Sequence, residues 1–137
     1  MNYVNKKVNT KKETIASFTD LHAWQQGHQL VLGVYKEAKK FPTDEQFGLS
    51  SQMKRSSVSI TSNIAESFGR KGVKEKIQFF YHAHGSLTEL KNQLLIARDV
   101  GYIKAKQFDI LADQANRTHE LLRGLIRGTE KWKERKT

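Results

Sequence analysis

A chain of 137 residues with 37% hydrophobic content is long enough for one domain around one apolar core. It has no cysteine, which excludes disulfides, thiolate metal sites and cysteine nucleophiles. Its net charge of +10 sits mainly in two tails and one central stretch, a distribution that suits a polyanion because neutralised phosphates release condensed counterions; solubility alone is the plain alternative.

Residues 1 to 17 are polar and basic without a sustained period, and they read as a flexible arm. Thr19 or Asp20 can cap a first helix, in which Leu21, Trp24, His28, Val31, Tyr35 and Ala38 alternate at three and four. Pro42 disfavours helical geometry in the residue before it, so this helix should stop near Phe41. His28 has no second ligand at a suitable spacing and reads as a packed or hydrogen-bonded histidine. The longest apolar run, LVLGVY at 30 to 35, is too short to cross a bilayer, and no apolar stretch follows the charged N-terminus. A soluble, cytoplasmic protein is expected.

Residues 48 to 71 carry two stripes at the period of a second helix. Leu49, Met53, Ser57, Ile60, Ile64 and Phe68 form an apolar line, and Gln52, Arg55, Ser59, Asn63, Glu66 and Arg70 form a polar one. Gly69 can end this helix in the left-handed conformation, and the short connector GRKG turns a third helix back antiparallel. That helix should run from about Val73 to Asp99, with Gly85 in its middle implying a close contact with a neighbouring helix. His82 and His84 lie about 200° apart around it and cannot share one ion within the chain. The wide apolar arc of FFYHAH, 79 to 84, suggests a subunit interface. Gly101 closes the third helix, and Phe108, Leu111, Ala115, Leu122 and Leu125 mark a fourth from about Lys104 to Arg127. The division expected is a basic arm at 1–17, a bundle at 18–128 and a basic tail at 129–137. Four amphipathic helices on short connectors make an all-α, up-down-up-down antiparallel four-helix bundle.

Several of these stretches also carry a resemblance. Gly48, Leu49, Gln52, Arg55, Ser59, Ile60, Asn63, Ile64, Ala65, Glu66 and Arg70 fall in a pattern similar to a family of bundles first noticed in intervening sequences of bacterial large-subunit ribosomal RNA genes. DLHAWQ at 20 to 25, VYKEAKKFP at 34 to 42, GSLTELKNQLLIA at 85 to 97 and GYI at 101 to 103 fit in order. The resemblance implies side-by-side assembly into rings, commonly pentameric, and favours RNA over DNA as a partner. It extends more distantly to accessory proteins of diversity-generating retroelements, which work beside a reverse transcriptase. Thr61 stands where that family usually has Pro, which should straighten the second helix, and Ser67 stands where it usually has Gly.

No catalytic constellation, cofactor motif or metal set emerges from the spacing, so a non-enzymatic protein is expected. The serines at 50, 51, 56, 57, 59 and 62 read as close-packing residues. The candidate nucleic-acid contacts are Lys54, Arg55, Arg70, Lys71 and Lys74 at a helix–loop–helix corner, with Lys131, Trp132 and Lys133 in the tail, where an aromatic among cations can stack on a base. Gln52, Arg55, Asn63 and Glu66 are candidates for a polar network inside or between subunits, with Arg55 and Glu66 as an ion pair. A protein-interaction scaffold without a nucleic-acid role is the competing function.

Overall fold

The computed structural model describes residues 14–136, with side chains to residue 132. Most of the basic arm and the side chain of Lys133 lie outside the described residues. Ser17 and Asp20 form a capping box around a single 3₁₀ turn, Phe18–Asp20, which leads into α1, His22–Ala38. A connector with a second 3₁₀ turn, Thr43–Glu45, leads to α2, Leu49–Phe68; then come α3, Val73–Asp99, and α4, Ala105–Lys136. Each helix packs on its chain neighbours and α1 closes against α4, so the four antiparallel helices enclose one core. Among the described residues no helix is long and apolar enough to cross a membrane.

The core is made where the helical periods converge. Leu30, Val34, Met53, Ile60, Ile64, Leu87, Leu90, Leu94 and Leu122 are essentially inaccessible. On α1 the buried line is Ala23, Trp24, Gly27, Leu30, Val34 and Ala38, rotated from the expected one, so that Tyr35 is exposed and Val31 half-buried. Small residues cause the rotation. A Cβ on Gly27 would stand 3.1 Å from Thr61 Cγ2, and one on Gly33 would stand 2.6 Å from Leu111 Cδ2, so these glycines let α2 and α4 approach α1. The close approach expected at Gly85 is absent, since a Cβ there would meet nothing within 4 Å. His28 stacks on Trp24 with ring centres 4.7 Å apart, a half-buried, packed position.

The helix ends differ from one another. Gly69 is right-handed, at φ −81°, rather than left-handed. The last turn of α2 is closed instead by the Lys76 ammonium, which donates to the Ser67 carbonyl at 2.9 Å, as a cation near a C-terminus should. Gly101 supplies the left-handed residue at φ +86°, with Tyr102 N–H donating to the Ala97 carbonyl and Gly101 N–H to the Arg98 carbonyl. That pair of bonds is the Schellman pattern. Thr61 leaves α2 uninterrupted, and Ser67 turns inward, its hydroxyl donating to the Ile64 carbonyl at 2.6 Å. α4 runs nine residues past the Arg127 expected as its end, so Lys131 and Trp132 stand on a helix rather than in an irregular tail.

Candidate nucleic-acid interface

Alternating helix directions gather the start of α1, the α2–α3 turn and the far end of α4 at one end of the bundle. The turn presents Arg70, Lys71 and Lys74, all exposed. Arg70 is partly committed there. Its guanidinium donates to Glu66 Oε1 at 2.6 Å, lies 3.9 Å from Glu75 Oε2 and sits 5.0 Å from the centre of the Phe79 ring. Lys71 shares a groove of about 570 Å³ with Trp132, and Leu21, Val73 and Leu125 form part of its apolar wall. Asp20 and Glu120 also reach this groove, so its charge is mixed. Trp132 is 47% exposed. The fold thus brings Lys71 and Trp132, far apart in the chain, into one cleft.

Lys54 and Arg55 are not part of that end. Lys54 stands sixteen and Arg55 fifteen residues before Arg70, which puts Arg55 about 22 Å from it at the 1.5 Å per residue of α2. Lys54 Nζ lies 5.3 Å from the Tyr35 ring centre. Arg55 pairs with Glu89 of α3, both carboxylate oxygens accepting at 3.3 Å, rather than with Glu66. Around this pair the Ser56 hydroxyl lies 2.8 Å from Glu89 Oε1 and 3.0 Å from Gln93 Oε1, with Ser56 and Gln93 buried. The Ser56 hydroxyl above all, and then Arg55, holds the Glu89 carboxyl below its ordinary range despite an opposing desolvation. One turn along, the Ser59 and Ser86 hydroxyls share a 2.8 Å bond, and Asn63 Nδ2 donates to the Ser59 carbonyl. Gln52, whose carbonyl accepts from Ser56, is exposed. Arg55, Asn63 and Glu66 therefore have partners within one chain, and Glu89, Gln93 and Ser86 complete a network whose α3 half lies in the GSLTELKNQ stretch.

The other flank of α3 carries an arrangement that spacing along one helix does not reveal. Lys91 Nζ is 2.7 Å from His119 Nδ1 on α4, and His119 Nε2 is 2.7 Å from His84 Nε2. Burial, followed by the charges of Lys91, His84 and Arg123, lowers His119 to about 4. Burial and then Arg123 also lower Lys91. His82, two residues from His84, points instead at the edge of Phe79. Among the described residues no three His, Asp or Glu side chains gather where they could hold a metal ion. The basic end, the matched α2–α3 network and the unmatched α3–α4 chain thus offer exposed cations, a held polar seam and titratable nitrogen, respectively.

A family model described as 23S rRNA-intervening sequence protein matches residues 19–124. A solved structure of a protein of unknown function from the S23 ribosomal protein family of Bacteroides thetaiotaomicron VPI-5482 superposes with a TM-score of 0.71. It is 20% identical, and the match covers 76% of this chain and 97% of that one. At that identity the likeness bears on the fold alone. No curated protein matches the sequence.

Proposed function

The chain belongs to the 23S rRNA-intervening sequence protein family, and from that premise we propose that it is a non-enzymatic, oligomeric protein that binds RNA through phosphate contacts at the basic end of its bundle. The observation that carries this reading is the groove that Lys71 shares with an exposed Trp132, with Arg70 and Lys74 exposed on the same α2–α3 turn as Lys71. Lys and Arg bound to phosphate oxygens carry no base information, so binding is strongly salt-dependent and weakly sequence-specific. Large apolar side chains left exposed on all four helices, among them Leu32, Val58, Tyr81 and Ile110, support side-by-side association of copies, which would multiply each copy's charge.

The test is titration of the nuclease-treated protein with structured RNA and duplex DNA across salt, with mass determined on the same sample. The variant Arg70→Gln/Lys71→Gln/Lys74→Gln should weaken binding and reduce the salt slope by about 2, since each phosphate contact contributes roughly 0.7 to 0.9 and Arg70 is already shared with Glu66. Unchanged affinity at every salt concentration would remove this end as the binding surface. A protein scaffold is the second reading, favoured by Phe47, which is 90% exposed in the α1–α2 connector at the opposite end. A parent protein that binds neither nucleic acid at low salt would leave that reading.

A further inference from the structure

The Lys91–His119–His84 chain has one consistent hydrogen-bonding pattern while its lysine is charged. An ammonium only donates, so His119 Nδ1 accepts from Lys91 and the neutral ring carries its proton on Nε2. That N–H donates to His84 Nε2, which places the His84 proton on Nδ1. A further proton on the pair would set two N–H groups against each other at 2.7 Å, and the contact would open.

The surroundings select what an opened pair would attract. The charged groups acting on His119 are Lys91 and His84 from α3 and Arg123 from its own helix; α1 packs on the other flank of α4. Among the described residues neither Lys91 nor Arg123 lies in an ion pair with a carboxylate. Lys91 spends one of its three N–H groups on His119, and Arg123 donates to no acceptor within the described chain. His84, Lys91 and His119 are half-buried and Arg123 is exposed, so the group is partly desolvated yet open to solvent. A metal cation would meet two imidazoles but also two positive charges and no carboxylate. An anion would meet spare donors already in place, and a proton taken up by the imidazoles would add more.

We propose that Lys91, His119 and His84, with Arg123, form a proton-coupled binding site for a phosphate-sized dianion. Lys91 and Arg123 hold its oxygens, and a protonated imidazole replaces the His119–His84 bond with a bond to the anion. The site is separate from the basic end, since His84 lies about 15 Å and Lys91 about 26 Å along α3 from Lys74. It therefore does not depend on that end binding RNA.

Sulfate is the probe of choice because its charge does not change between pH 5.5 and 8, so any pH dependence belongs to the protein. The full chain is titrated with sulfate at fixed ionic strength while the histidine ring signals are followed by NMR. Expected are saturable shifts of His84 and His119, and affinity about tenfold higher at pH 5.5 than at pH 8, the effect of the bound anion returning His119 from about 4 to its ordinary 6.5. Lys91→Gln should abolish the shifts, and Arg123→Gln, at an exposed position, gives the same test should the first variant loosen the bundle. Arg70→Gln/Lys71→Gln/Lys74→Gln should leave the response intact, which separates this site from the RNA reading. Unmoved ring signals, equal shifts in parent and Lys91→Gln, affinity independent of pH, or a response to Zn²⁺ with none to sulfate would each overturn the proposal. Cytidine monophosphate and an unphosphorylated dinucleotide then distinguish a terminal phosphate from a backbone diester as its source.

Discussion

In the middle of α3, the polar groups facing α2 meet partners of opposite charge or matching hydrogen-bond capacity, whereas Lys91 and His84, facing α4, meet another base. Glu89 takes Arg55 and Ser56 on the first flank; Lys91 takes His119, and His119 takes His84, on the second. Both flanks bury polar atoms against the same core, through Gln93 on one side and His119 on the other. The difference is in what a proton does. It would remove an attraction on the α2 side and create a repulsion on the α4 side, so the first seam is built to hold its geometry and the second to respond.

The largest effect should come from breaking the matched flank. Ser56 is fully buried, and its oxygen contacts the Gln52 carbonyl, Glu89 and Gln93. Its single proton cannot serve all three, and the carboxylate is the strongest acceptor. Ser56→Val should destabilise by about 2–4 kcal/mol, combining lost hydrogen bonds with an overpacked α2–α3 contact. Urea unfolding should show a lower midpoint with an unchanged slope. A change below about 0.5 kcal/mol, the range of an inert surface substitution, would show that this seam is not what fixes α2 on α3.

Acid should separate the flanks. His119 falls from 6.5 to about 4 in the folded chain, so between those values the unfolded state binds the proton that the folded state refuses. Its contribution is complete above pH 6.5 and is lost as pH falls toward 4. The loss is on the order of 1–2 kcal/mol, less than the full shift implies because a half-buried pair can open to solvent. Glu89 works in a lower window: its carboxyl is lowered from 4.5, so its stabilisation persists until pH drops below 4.5 and is then lost. Thermal unfolding between pH 7 and 5 should fall in the parent and flatten in His119→Gln. Equal slopes in the two proteins would contradict this assignment.

This division also marks what was legible in the sequence. The helix count, the order of elements and both ends of α3 follow from an apolar period with Gly72 and Gly101 around it. The face of α1 was harder to place because Ala23 and Gly27 define it through close approach, and small residues contribute little to a hydrophobic stripe. The end of α4 was masked by glycines at 124 and 128, which read as punctuation and are helical here. On the α2 side the stripe named Arg55, Asn63 and Glu66, but Arg55 finds its carboxylate on the next helix rather than eleven residues along its own. The α3–α4 chain was not legible at all. His84 and His119 are separated by 35 residues, and their meeting depends on the rotation that the Gly101 turn gives to α4.

The smallest expected effect concerns Arg55, which the sequence placed both among the phosphate contacts and in a polar network. The side chains of Arg55 and Glu89 are 62% and 45% exposed, so solvent screens most of their attraction. Arg55→Gln should cost about 0.2–1 kcal/mol at low salt. Because the stabilisation is screened Coulomb energy, parent and variant should converge in 1 M salt, where the Debye length is about 3 Å. RNA affinity should change little, since Arg55 is engaged by α3 and lies about 22 Å from Arg70. A loss of RNA affinity matching that of the Arg70, Lys71 and Lys74 variant, with stability unchanged, would reverse the division. The α2–α3 flank would then be a phosphate-binding surface, and Glu89 would be the group that holds Arg55 until phosphate displaces it.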